Sequence, residues 1–380
     1  MGFEVGYVFP NVPLTFQIGP MKAVILLPAL LGSFVLLAAV STEPSLSQEA
    51  DLFRNEGLFQ ETAMAPAEGR GISSERISVF ELSKAWTIGE ADDYVYGGLP
   101  LHKIRDVVVG PDGSVFVSDG GNARILIFDA NGQWKTSFGR QGEGPGEFIS
   151  LSKLAVDDGM LYALDSRLRR ISIFSTTGTF LHSFSIREMA ADVAVSGSHV
   201  YISYFSPARK EALVVVYDTS GVKVSQLGTP LPSTVEVNRA GEAGRVALAD
   251  EGIYYAFAYP YRIERLSLDG QQQQVIALEK KRFQLPTAGE TYQGKRLGGT
   301  LSTRIRGIGT LGQGTLVVQV NYDEQVPELD FISTEGKLVQ SIELPDEHQL
   351  GDVSGDNLYT FVHGANEVQA MVTKWFVKHQ

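Results

Sequence analysis

The sequence predicts an all-β fold: a six-bladed β-propeller of four-stranded antiparallel blades, its ring closed by an N-terminal strand that completes the last blade. Three observations carry this expectation. A unit of four short apolar runs, punctuated by turn residues, recurs from about Ser78 onward. Its runs are apolar at successive positions. Its last copy lacks one run, and a segment ahead of the first copy can supply it.

The clearest unit runs from Ile104 to Gly139 (IRDVVVGPDGSVFVSDGGNARILIFDANGQWKTSFG), and the next from Leu151 to Phe184. Asp112-Gly113 and Asp158-Gly159 part the first run from the second. Asn131-Gly132 and Thr177-Gly178 part the third from the fourth. Two-residue hairpin turns need positive φ, which Gly and Asn tolerate, so the four runs fold back on one another as one antiparallel sheet. Val115-Phe116-Val117 and Ile125 to Phe128 show no polar alternation, so both sheet faces are covered. A repeated sheet covered on both faces is a blade between two others. Weaker copies span Asp192 to Leu227, Arg245 to Leu278 and Gly307 to Leu344. The sixth starts at Asp352 and offers three runs, ending near Val377. Ser78 to Gly89 stands before the first unit as Trp134 to Gly139 stands before the second. Added to the sixth sheet, it removes two open edges. The spacing is about 50 residues per unit, near the ~40–50 of propeller repeats.

Upstream, Met21 and Lys22 precede the uncharged apolar stretch Ala23 to Val40, and Ala39-Val40-Ser41 offers small residues for cleavage. That order is the order of a secretory signal. An uncleaved membrane anchor is the alternative, since eighteen such residues are near the length of a bilayer span. Both readings put the bulk of the chain outside the cytoplasm, secreted or periplasmic. Residues 1–20 read as an upstream extension with Met21 as the start, residues 21–41 as signal or anchor, 42–77 as a flexible tether, and 78–380 as the propeller. The chain has no Cys, which excludes a disulfide framework and a thiolate zinc site. Its formal charge of −12 argues against nucleic acid as a partner.

Within the first unit, Asp119-Gly-Gly-Asn122-Ala-Arg124-Ile125, followed by Phe128-Asp129 and Asn131-Gly132, resembles the NHL repeat. The link Gly139-Arg-Gln-Gly142-Glu-Gly144-Pro145-Gly146-Glu-Phe148 resembles the connection between NHL blades. The resemblance fades from the third unit on. It implies a six-bladed propeller and no single activity, because NHL-like propellers include protein binders, RNA binders and metal-assisted lyases.

Aligning the units by their hairpin glycines puts Asp106, Lys153, Asp192, Arg245, Gly307 and Asp352 in one column of the innermost strands. Two residues on stand Val108, Ala155, Ala194, Ala247, Gly309 and Ser354. Between them stand Val107, Leu154, Val193, Val246, Ile308 and Val353. Because strand side chains alternate, the bulky column is expected to pack into the blade, and the charged and small columns to face the channel. The charged column reads either as a throat for a polar ligand or as a self-neutralising ring, since its signs alternate from Asp106 to Arg245. Arg304 and Arg306 end the longest link and can reach the channel mouth; a solvated loop is the rival reading. The candidate ligand-binding set is therefore Asp106, Lys153, Asp192, Arg245, Arg304, Arg306 and Asp352.

Asp119 with Arg124, and Asp165 with Arg170, read as braces of their own loops. Arg167 with Arg169 and Arg170, and Lys280 with Lys281 and Arg282, read as solvated basic faces. Tyr259-Pro260-Tyr261 reads as core, or as a stacking platform for a sugar or peptide. Of the six His, only His102 and His348 precede innermost strands, and none has paired ligand spacing. No nucleophile elbow, phosphate loop or dinucleotide fingerprint occurs. The leading expectation is a non-catalytic, extracytoplasmic binding or scaffold module for a protein, peptide or glycan, without a cofactor. The alternative is a metal-assisted lyase or hydrolase with a divalent metal in the channel, held by His102, His348 and ring carboxylates.

Overall fold

The computed structural model describes residues 3–9, 12–18, 80–90, 95–205, 212–231, 244–250, 252–280, 304–312, 314–322, 326–345, 347–364 and 369–379. The chain divides into Met1–Glu75 and Arg76–Gln380. In the first unit, β1 (Phe3–Phe9) and β2 (Val12–Ile18) pair as an antiparallel hairpin, in a stretch the sequence left outside any folded domain. The candidate signal or anchor at Ala23 to Val40 and the tether lie outside the described residues. Among the described residues no helix is long and apolar enough to cross a membrane.

The second unit is a ring of six four-stranded antiparallel sheets. Blade one is β4 (Ile104–Val109), β5 (Val115–Asp119), β6 (Arg124–Phe128) and β7 (Trp134–Phe138). Blade two is β8 (Leu151–Asp157), β9 (Met160–Asp165), β10 (Arg170–Ser175) and β11 (Phe180–Ser185). Blade three is β12 (Ala190–Ser196), β13 (His199–Tyr204), β14 (Val214–Asp218) and β15 (Lys223–Leu227). Blade four is β16 (Arg245–Ala249), β17 (Gly252–Ala256), β18 (Arg262–Leu266) and β19 (Gln272–Ala277). Blade five is β20 (Arg304–Leu311), β21 (Thr315–Asn321), β22 (Glu328–Ile332) and β23 (Leu338–Glu343). Blade six joins β24 (His348–Ser354), β25 (Asn357–Val362) and β26 (Met371–His379) to β3 (Phe80–Ile88).

The closing strand is therefore the one expected. β3 pairs antiparallel with β26 from Phe80 opposite His379 to Ile88 opposite Val372. Phe80 also stacks on Phe331 of blade five at 4.4 Å, and its backbone exchanges two hydrogen bonds with the Gln340 side chain. The predicted hairpin glycines sit in the turns. At Gly132 φ is +79°, which demands glycine, and a Cβ there would lie 3.1 Å from the Trp86 ring of the closing strand, a tight approach that the ring would have to give way to.

Among the described residues the buried apolar side chains gather into six clusters, each drawn from two neighbouring blades, so that every junction of the ring carries one. This is why the middle strands read as unbroken apolar runs: each face of a blade is the wall of a different cluster. β5 and β6 are buried at every position.

Candidate functional site

The six innermost strands β4, β8, β12, β16, β20 and β24 stand side by side around the axis. They enclose a cavity of about 270 Å³ lined by Asp106, Lys153, Asp192, Arg245, Arg306 and Asp352 among others. In five of these strands the pairing register slips just before the ring column: after Ile104, Leu151, Ala190, Ile305 and Leu350. Such a bulge re-aims the side chains beside it.

The charged column is directed at the next blade. Asp106 accepts the Leu154 N–H and the Lys153 ammonium, both at 2.9 Å. Lys153 Nζ stands 3.8 Å from Asp192 Oδ1. Asp192 Oδ2 accepts the Val246 N–H at 3.1 Å, and Arg245 Nε donates to the Arg306 carbonyl at 2.9 Å. Asp352 Oδ2 accepts the Val109 N–H at 2.8 Å. Only the junction from blade five to blade six lacks a ring side chain, because position 307 is Gly. There Gln319, directly across from Gly307 on β21, accepts the Leu350 N–H at 2.6 Å and donates to the His348 carbonyl at 3.0 Å. Every junction is thus bridged by at least one polar side chain. The sequence alignment by column could not find Gln319, whose one signal is a polar residue inside the apolar run of β21.

The small column reaches the cavity wall, as expected, at Val108, Ala155, Ala194, Ala247, Gly309 and Ser354, and part of it also packs between blades. Ala155, Ala194 and Ala247 are buried in the clusters shared with the following blade, while Leu154, Val193 and Val246 pack with the preceding one. Blades stack face to face, so both faces of an inner strand are covered and its edge lines the channel. Gly309 belongs to the same packing: a Cβ there would meet Val353 of blade six at 2.4 Å.

Burial raises the pKa of Asp106 despite Lys153, and pushes that of Asp352 up to about 7 despite its two N–H donors. A carboxyl whose folded pKa exceeds its unfolded value of 3.8 leaves the folded state more protonated across the interval between them. Stability contributed by that proton is full below the unfolded pKa and is lost as pH rises through the folded one. Asp352→Asn, which cannot ionise, is expected to flatten the fall in Tm between about pH 4 and 7. Melting curves across that range check it, and an unchanged slope in the variant overturns the assignment.

Arg245, Arg304 and Arg306 are different. None has a carboxylate partner among the described residues. Arg245 spends two donors on the Arg306 and Ala191 carbonyls. Arg306 Nε is buried with no hydrogen-bond partner among the described residues. Burial lowers the Arg304 pKa, and Arg245 lowers it further. Burial, then Arg304, then Arg245 bring Arg306 down to about 9. The alternation of sign along the column therefore produces pairing around Lys153 only. Three guanidinium groups remain crowded together, with Arg245 and Arg306 on the cavity wall.

The remaining candidates are structural where they are described. Arg124 Nε meets Asp119 at 2.8 Å and its NH2 donates to Leu99 O at 2.8 Å, which ties the entry segment to blade one. Asp165 accepts four backbone N–H groups, from Ile149, Ser150, Arg167 and Leu168, and Arg170 donates to the carbonyls of Glu143, Gly144 and Glu147. Arg167 and Arg169 are exposed. Lys280 is no solvated cation: it reaches Asp330 at 2.6 Å and Glu328 at 3.0 Å. Positions 281 and 282 lie outside the described residues. Tyr259 and Tyr261 are buried, and the Tyr261 hydroxyl donates to Asp330. His348 is buried, with Nδ1 2.7 Å from Thr360 Oγ1, and burial lowers its pKa. His102 is exposed, and its backbone N–H donates to Asp119. Among the described residues no three His, Asp or Glu side chains form a metal-holding group.

A family model described as DUF5128, a 6-bladed beta-propeller, matches residues 100–266. The chain is a six-bladed β-propeller. The comparison with curated proteins returns no match. Among solved structures, a candidate exported protein from Bacteroides fragilis is similar at 12% identity and a TM-score of 0.53, over 82% of this chain and 98% of that one. A member of the DUF4221 family from Bacteroides vulgatus is similar at 11% identity and 0.57, over 79% of this chain and 99% of that one. Virginiamycin B lyase from Staphylococcus aureus gives 10% identity and 0.47, over 78% and 99%. At such identities the likenesses concern the fold alone.

Proposed function

We propose that this propeller is an NHL-like, extracytoplasmic, non-catalytic binding module that holds a protein, peptide or glycan at the mouth of its channel. One observation carries the reading: the ring charges of blades six, one, two and three are consumed by contacts between blades, whereas Arg245, Arg304 and Arg306 stand together without an anion among the described residues. A crowd of half-buried cations costs stability, and such costs collect where a ligand relieves them. The export signal read at Met21 to Ser41 supports the compartment, and the braces Asp119–Arg124 and Asp165 support the NHL likeness.

The ligand's anionic groups belong on the arginines, where charge-assisted hydrogen bonds are strongest. Thermal shift titration with citrate, an acidic trisaccharide and a capped acidic hexapeptide tests this at low salt. At least one probe is expected to raise Tm in a concentration-dependent way. Arg304→Ala is expected to weaken that probe about ten-fold, the equivalent of ~1.4 kcal/mol. If every anionic probe leaves Tm unchanged, or shifts the Arg304→Ala protein equally, the site is wrongly placed.

A further inference from the structure

The arginine cluster has an apolar neighbour. Met189 and Phe205 are 54% and 43% exposed on adjacent backbone, the Phe205 N–H donating to the Met189 carbonyl at 3.1 Å. Met189 immediately precedes β12, and two residues later the Ala191 carbonyl receives the Arg245 guanidinium at 3.0 Å. One carbonyl thus joins the exposed pair of blade three to the cations of blades four and five. Both lie at the end of the ring where innermost strands begin. Large apolar side chains left open beside a desolvated charge cluster are the makings of a recognition site with an apolar anchor and an ionic clamp.

We propose that the mouth recognises an acidic peptide segment in which two neighbouring carboxylates seat on Arg245, Arg304 and Arg306 while an adjacent bulky apolar side chain packs on Met189 and Phe205. The inference rests on the binding role proposed above and names its ligand class. Charge complementarity selects the anion, since three guanidinium groups in mutual repulsion are relieved more by two negative charges than by one. The Met and Phe pair selects the peptide. Met adapts to varied apolar shapes, and Phe offers a ring for contact, whereas a uronic acid chain presents hydroxyls that this pair leaves without hydrogen-bond partners.

The test uses the whole chain and the capped hexapeptide Ser-Gly-Phe-Glu-Glu-Ser, measured by calorimetry at low salt. The peptide is expected to bind. Its Gln-Gln analogue is expected to be about 30-fold weaker, for lost charge-assisted bonds. Its Ala-for-Phe analogue is expected to be about ten-fold weaker, for lost apolar burial. The Met189→Ala and Phe205→Ala proteins, altered only at exposed side chains, are expected to lose the preference for Phe while keeping that for Glu. Equal binding of the Phe and Ala peptides overturns the inference. So does an acidic trisaccharide or inorganic phosphate that binds tighter than the peptide and is weakened by Arg304→Ala, an outcome that leaves the mouth as the binding site. If no anion binds the wild-type chain, both readings fall together.

Discussion

Asp106→Ala is expected to lower stability by about 3–5 kcal/mol, the typical result of removing one partner from a buried charged pair. The Asp106 carboxylate is 2% exposed and serves two groups of blade two, the Lys153 ammonium and the Leu154 N–H. Without it the ammonium retains, among the described residues, only Asp192 at 3.8 Å, and the buried Leu154 amide loses its acceptor. Roughly 6–10 °C in Tm should disappear. Asp106→Asn keeps an acceptor for the amide and is expected to recover part of the loss. Replacing both partners, Asp106→Leu with Lys153→Met, is expected to recover more, because apolar groups need no partner. Thermal unfolding of the four proteins decides the matter. A Tm for Asp106→Ala within about a degree of the wild type would show that the bridge from blade one to blade two carries no weight.

Arg306→Met is expected to act in the opposite direction. Among the described residues the charge has no counter-charge and its Nε no acceptor, and Arg304 and Arg245 repel it. An apolar side chain of similar length is expected to stabilise the fold by about 1–3 kcal/mol while abolishing anion binding. The sign of the pH dependence follows from the depressed pKa. A base whose pKa falls to about 9 in the folded state, well below its ordinary value, binds fewer protons there than in the unfolded chain between the two. Wild-type stability therefore gains as pH rises through 9, and the advantage of Arg306→Met narrows. Melting curves at pH 7 and above 9, beside anion titrations, read both effects. A variant less stable than the wild type at pH 7 would mean that Arg306 supports the fold. The two substitutions thus separate a charge that holds blades together from one held ready for something else.

How much of this was legible in the sequence follows from local geometry. Hairpin turns demand particular residues, so Gly113, Gly132 and Gly178 marked the blades, and Ser78 to Gly89 betrayed itself as the missing strand by its place before the first unit. The apolar column followed from strand alternation. The packing of Ala155, Ala194 and Ala247 between blades did not, because alternation shows that two sides exist without showing that a neighbouring blade covers each. Nor did the sequence show where the ring charges spend themselves. Asp352 reaches a backbone amide, a partner present at every residue and marked by no letter. Gln319 replaces a ring side chain from the adjacent strand, so a column aligned within one strand shows only the gap at Gly307. Arg304 and Arg306 could be singled out by position alone; their isolation from carboxylates is a three-dimensional fact. Met189 and Phe205 are separated by a whole hairpin and become neighbours only through strand pairing.

The bridges Asp106 to blade two, Lys153 to blade three, Asp192 to blade four, Arg245 to blade five, Gln319 to blade six and Asp352 to blade one all reach forward in the same rotational sense. Together with the contacts of Lys153 and Arg245 to the preceding blade, they act as a hoop that fixes the bore. Preorganisation of that kind removes the ordering cost that loops impose on association. Under the proposed binding role, a guest at the mouth would meet a socket of set width, and affinity differences among guests would arise from how well each matches it rather than from how far the ring can yield.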